Sequence, residues 1–136
     1  FINAFGEELI VDNALKALES ACEKTGAMIN EFTAAPVYFS DNASGAHEWL
    51  IEFEKEPADL AYFSEMLDNA LKALNSDYEA KRYHNMVLNQ PVIRTLPAGT
   101  FYNWLKKRDK LGGQFKVPRL SNNRNYVDEI LEVAQF

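Results

Sequence analysis

The sequence predicts an α+β fold, a small mixed or antiparallel sheet with helices packed on it. Apolar residues recur at helical spacing near residues 14–22, 60–74 and 126–133, and apolar and polar residues alternate over 28–38 and 47–53. The runs are separated by clusters of turn-forming residues such as Asp41-Asn42-Ala43-Ser44-Gly45. With 136 residues, 47% hydrophobic and 12% aromatic, the chain can bury about two-thirds of its unfolded surface in one compact unit. It is read as a single domain, 1–136.

Phe1 to Val11 reads as an extended entry segment interrupted by Gly6, where a glycine within a strand pattern marks a bend. Asp12 or Asn13 can cap a helix carrying Ala14, Leu15, Leu18, Ala21 and Cys22, which Gly26 stops. Met28 to Tyr38 reads as a strand, and His47 to Phe53 as its antiparallel partner, with Trp49, Ile51 and Phe53 on one side and Glu48, Leu50 and Glu52 on the other. Glu48, Glu52 and Glu54 read as a solvated strand edge. Pro57 opens a helix with a stripe from Leu60 to Leu74. Ser76-Asp77-Tyr78-Glu79 has capping-box form and starts another helix, in which Tyr78 and Tyr83 are amphipathic residues suited to a surface or interface. Pro91 to Leu96 gives a short strand, Thr100 can cap the helix bearing Phe101, Trp104 and Leu105, and Ser121, Asn122 or Asn123 caps a last helix. The predicted order β-α-β-β-α(α)-β-α-α contains a ferredoxin-like split β-α-β core with extra C-terminal helices, the helices lying on one face.

Charge singles out one stretch. The chain holds 14 Lys and Arg against 20 Asp and Glu, yet Lys106, Lys107, Arg108, Lys110, Lys116, Arg119 and Arg124 fall in a span whose only acid is Asp109. That span carries +6 and the rest of the chain −12. A cationic strip on an anionic body attracts phosphates or an acidic protein face. Positive charge at a helix end accounts for Lys106 to Lys110; it accounts less well for Lys116 and Arg119, which follow Gly112 and Gly113. The two glycines leave the backbone nearly unrestricted, while Pro118 fixes its own φ and keeps Val117 extended. Lys116 thus stands between a swinging segment and a stiff one, an arrangement that suits a cation delivered to an anion.

Gln114-Phe115-Lys116-Val117-Pro118-Arg119, with Leu74-Asn75-Ser76-Asp77-Tyr78 upstream and Gly99-Thr100-Phe101 between them, resembles the C-terminal domain of the Gretchen Hagen, or auxin-responsive promoter, family of acyl acid amido synthetases. The resemblance covers essentially the whole chain. Phe115 and Val117 depart from the plant pattern Gln-Tyr-Lys-Thr-Pro-Arg and resemble the bacterial branch. The family resembles the wider acyl-adenylating superfamily, in which a large domain binds ATP and a carboxylic acid and a small mobile domain supplies a lysine. The resemblance therefore implies a mobile C-terminal lid of a longer two-domain cytoplasmic enzyme, with a hinge near residues 1–7 at Phe5-Gly6-Glu7. It implies Lys116 as the catalytic lysine, Arg119 and Gln114 as residues that steady pyrophosphate, orient a substrate or dock the loop, and Gly112 and Gly113 as the source of loop flexibility. The implied partners are the large N-terminal adenylating domain, a carboxylic acid and an amino acid, with ATP and Mg2+ in the full-length enzyme and no cofactor or activity in the isolated domain.

Other chemistries find little support. There is no phosphate-binding G-x-x-x-x-G-K-[ST] or G-x-G-x-x-G loop, no H-E-x-x-H and no pair of cysteines. No metal site is expected, since His47 and His84 lack ligand spacing and read as satisfied or exposed imidazoles. The lone Cys22 fits a helix core and a reducing compartment. An acidic chain with little basic and aromatic interleaving argues against nucleic acid, and no apolar run is long enough to cross a bilayer. The opening Phe1, in place of an initiator Met, fits a processed product or a piece of a longer protein, and the first residues do not form a secretory signal. The alternatives are a stand-alone α+β small-ligand-binding or dimerisation module and an adaptor for an acidic partner.

Overall fold

A computed structural model describes residues 1–39, 44–108 and 116–136. In chain order the elements are α1 (Val11–Thr25), β1 (Met28–Tyr38), β2 (Gly45–Lys55), α2 (Leu60–Leu74), α3 (Ser76–Arg82), a 3-10 turn at Tyr83–Asn85, β3 (Val92–Thr95), α4 (Thr100–Lys107) and α5 (Asn125–Val133). The sheet order is β1-β2-β3, with β1 antiparallel and β3 parallel to β2. The mixed α+β sheet expected from the sequence is therefore present, and β1 has the expected bounds.

The split core is not. Gly6 sits at φ +90°, and the entry segment folds back so that Ile2 and Leu9 exchange both backbone hydrogen bonds at 2.9 Å. It forms one isolated bridge instead of a strand in this sheet. The crossover through α2 and α3 joins β2 to β3, which are immediate neighbours, so no strand is inserted between them.

Helices cover both faces of the sheet, which corrects the one-faced expectation. Ala34 and Trp49 are cross-strand partners, as are Phe32 and Ile51, and they pack with Ala17, Leu18 and Ala21 of α1 and Phe63, Leu67 and Leu71 of α2. On the other face Ala35 and Leu50 meet Phe101 and Trp104 of α4 and Val127 and Ile130 of α5. β2 is consequently buried on both sides for most of its length. Glu48 and Glu52, read from the alternation as solvated, lie under α4 and α5 with partners of their own. Glu48 pairs with Arg124 at 2.8 Å, and Glu52 accepts from the Asn30 amide at 2.6 Å and from the Phe101 N–H at 3.2 Å. The first turn of α4 is thus satisfied by a carboxylate from β2, while the Thr100 hydroxyl turns back to the Pro97 carbonyl at 2.7 Å and Gly99, at φ +88°, occupies the cap.

The other caps also differ from expectation by a few residues. α1 starts at Val11, and the Asn13 side chain accepts from the Ile10 N–H at 3.2 Å. α2 begins at Leu60 and not at Pro57, and Asp59 caps it by accepting from the Tyr62 N–H at 3.1 Å. Asn75, not Ser76, caps α3 by accepting from the Tyr78 N–H at 2.8 Å. Arg124 is the cap residue of α5, and the Asn123 side chain accepts from the Asn125 N–H at 3.0 Å. A Ser-x-x-Glu pattern marks the neighbourhood of a helix start, but the residue one before it has the competing Asx geometry here.

Candidate functional site

Lys116 is exposed, and the residues that follow it are fastened to the outer edge of β1. Val117 enters the second core with Leu50, Leu96 and Trp104. The Thr33 hydroxyl donates to the Pro118 carbonyl at 2.6 Å, the Ala34 N–H donates to the Arg119 carbonyl at 2.9 Å, and the Ser121 N–H donates to the Ala34 carbonyl at 3.0 Å. Ala34 and Leu120 form a parallel bridge. Since β1 is an edge strand, its unpaired backbone groups are free to hold this segment. Proline suits the position because its missing N–H leaves the ladder through Arg119 and Ser121 intact. Among the described residues no carboxylate pairs with Lys116. Gly112, Gly113, Gln114 and Phe115 lie outside the described residues.

The Arg119 guanidinium pairs with Glu31 and lies 5.1 Å from the centre of the Phe32 ring. Arg108 likewise pairs with Glu129 at 2.7 Å, and Arg124 with both Glu48 and Asp128. The cationic strip is therefore less available than its composition suggests. Three of its arginines are neutralised within the domain, while Lys106, Lys107 and Lys116 remain exposed.

The entry segment lies at the opposite end of the sheet. The Phe5 ring is 5.3 Å from that of Tyr38 and presses on Gly45, where an added Cβ would come within 2.6 Å of Phe5. Phe5 and Glu7 are locked together by a 2.9 Å bond from the Phe5 N–H to Glu7 Oε1, and Glu7 Oε2 contacts His47 Nε2 in the interior. Glu7 and His47 are both essentially buried. Asn122 accepts from the Asn3 N–H at 2.8 Å, and the Asn75 amide donates to the Glu8 carbonyl at 2.7 Å. Phe5, Gly6 and Glu7, the expected hinge residues, thus form a turn tied to the domain body. Around it, Phe1 and Tyr38 are 59% and 53% exposed.

A buried polar group supports this end. Arg82 grips Asp68 with two hydrogen bonds of 2.8 and 2.6 Å, the Tyr78 hydroxyl donates to the same carboxylate at 2.6 Å, and Arg82 also reaches the Leu88 carbonyl at 3.1 Å. Tyr78 is 1% exposed, not a surface residue as expected, and its ring lies 5.8 Å from that of His47. Burial is the largest influence on Asp68 and would push its carboxyl up. The hydrogen bonds from Arg82 and Tyr78, with the charges of Arg82 and Lys72, outweigh it, and the net shift is downward. Asp68 went unremarked in the sequence because its apolar neighbours in α2 define a stripe that it interrupts, and only Arg82, 14 residues on, gives it a role. Among the described residues no cluster of three or more His, Cys, Asp or Glu could hold a metal ion, and no helix is long and apolar enough to cross a membrane.

These features define a small α+β domain with an exposed lysine, without a carboxylate partner among the described residues, near one end of β1 and the folded-back entry segment near the other. The chain belongs to the GH3 family: the model described as the GH3 family C-terminal domain matches residues 12–125. Among solved structures, it is similar to GH3.15 acyl acid amido synthetase, with a TM-score of 0.68 and 19% identity over 92% of this chain and 24% of that one. AtGH3.15 acyl acid amido synthetase in complex with 2,4-DB matches at a TM-score of 0.67 and 18% identity, again over 92% of this chain and 24% of that one. At these identities the likeness is one of fold, and the chain spans about a quarter of the length of those structures. No curated protein matches the sequence.

Proposed function

We propose that this domain is the mobile C-terminal lid of a longer ATP-dependent acyl acid amido synthetase and that it delivers Lys116 to the adenylation step. The observation that carries the reading is an exposed Lys116, with no carboxylate partner among the described residues, at the start of a segment anchored to β1. In the reaction, a carboxylate oxygen attacks the α-phosphorus of ATP and pyrophosphate leaves. An amino acid amine then attacks the acyl carbon of the adenylate, forming the amide as AMP departs. The first step brings two anions together, and an ammonium group beside both lowers their repulsion and stabilises the charge of the transition state.

The domain works as a lever. With Leu120 level with Ala34, Lys116 falls at the level of Asn30, and counting along β1 from there to Tyr38 gives roughly 26 Å at about 3.3 Å per residue. Each 10° of rotation at the entry end then moves the lysine by about 4.5 Å, so a modest turn withdraws it and opens room for the amine. Because Glu7 is held by His47 and Ile2 and Leu9 are buried, the turn at 5–7 moves with the domain, and bending is taken up on the Phe1 side of it. The exposed rings of Phe1 and Tyr38 suit contact with the large N-terminal adenylating domain, which holds ATP, its Mg2+ and the carboxylic acid. The isolated lid is inactive, and the enzyme works in the cytoplasm.

The test is product chemistry. The longer protein should return label from pyrophosphate to ATP only when a carboxylic acid is supplied, and should release AMP when an amino acid is added. ADP and phosphate as the products would overturn the reading.

A further inference from the structure

We infer that Glu31 is a positioning residue for adenylation, setting the register in which the lysine-bearing segment lies on β1; this rests on the role proposed for Lys116. Backbone bonds from Ala34 hold residues 119 and 121, but such bonds are the same for any sequence and do not by themselves choose a register. Side chains make the choice. Glu31 and Thr33 project from β1 two residues apart, one taking the Arg119 guanidinium and the other donating to the Pro118 carbonyl. The Glu31 carboxylate is itself oriented, since Oε1 also accepts from the Phe32 N–H at 3.0 Å, and the Phe32 ring lies under the guanidinium.

Arg119 is three residues beyond Lys116, so the ion pair fixes where the lysine stem begins. A slip of one residue would displace that point by about 3.3 Å and turn alternate side chains to the other side. Val117 would then leave the core that it shares with Leu50 and Trp104. The Glu31 side chain is 25% exposed and makes no buried network, so its loss is felt mainly by the arm.

The experiment compares Glu31→Gln, Lys116→Ala and the exchange Glu31→Arg with Arg119→Glu in the longer protein. Glu31→Gln should lower kcat for ATP–pyrophosphate exchange by about 10- to 100-fold, the scale of a misplacement of an ångström or so in a catalytic group. The KM for ATP should stay within about twofold, because ground-state binding is untouched. Amide formation from preformed acyl-adenylate and the unfolding temperature should be preserved, and the exchanged pair should recover most of the lost kcat. Unchanged exchange activity in Glu31→Gln, when Lys116→Ala has lost it, overturns this inference and leaves the role of Lys116 standing. Full activity in both variants overturns the role of Lys116 itself. A folded exchanged pair that fails to recover exchange activity also counts against Glu31.

Discussion

Lys116→Ala in the longer protein should reduce carboxylate-dependent ATP–pyrophosphate exchange by about 100- to 1,000-fold. In a closed site, one charge contact at ~4 Å and an effective dielectric near 20 contributes roughly 4 kcal/mol before desolvation is subtracted. Two to three orders of magnitude remain after that subtraction. Amine attack on preformed acyl-adenylate should be largely preserved, because on the proposed lid reading that half-reaction begins after the lysine has been withdrawn. The two half-reactions are measured separately, by label exchange and by amide formation from synthetic adenylate. Stability should hardly change, since Lys116 is exposed and unpaired among the described residues. Equal loss of both half-reactions would assign the residue to a general structural role.

Asp68→Ala should cost the chain about 3–5 kcal/mol of stability at neutral pH, the usual penalty for leaving one member of a buried ion pair without its partner. Arg82 would keep its buried guanidinium, and the Tyr78 hydroxyl would lose its acceptor. Replacing Asp68 and Arg82 together by Leu and Met should cost much less, because no unpaired charge is left behind. The pH dependence follows from the lowered carboxyl pKa of Asp68 in the fold. Its contribution is fully present above the unfolded value near 3.9 and is lost as the pH falls through the lower folded value. Urea unfolding between neutral pH and pH 3 should therefore show the wild type losing stability below about pH 4, and Asp68→Ala lacking that part of the loss. A midpoint in the variant equal to that of the wild type would show that the network is not holding α2 to α3.

What was legible in the sequence was local. Gly26 stops α1 at Thr25 in the left-handed conformation, as its position after the apolar stripe required. Met28 to Tyr38 was readable as a strand of the right bounds, although helices on both faces bury five consecutive residues in its middle. Lys116 draws notice in the sequence because Gly112 and Gly113 precede it and Pro118 follows it. What was not legible depended on partners distant in the chain. Glu48 resembles a solvated residue until Arg124, 76 positions away, is folded against it. Glu52 has the same appearance until α4 sets its first amide on the carboxylate. Glu31 could have been noticed only by knowing that Arg119 lies beside it. The entry segment has strand composition throughout, yet the positive φ at Gly6 lets Ile2 and Leu9 satisfy each other.

The measurement closest to the central claim is acetylation of Lys116 in the longer protein by an amine-reactive reagent, read by peptide mass spectrometry with Lys106 and Lys107 as internal references. The lid account predicts that α,β-methylene ATP with Mg2+ and a carboxylic acid substrate slows labelling of Lys116 several-fold and leaves the two reference lysines unchanged. Labelling of Lys116 at the same rate with and without these ligands would contradict it.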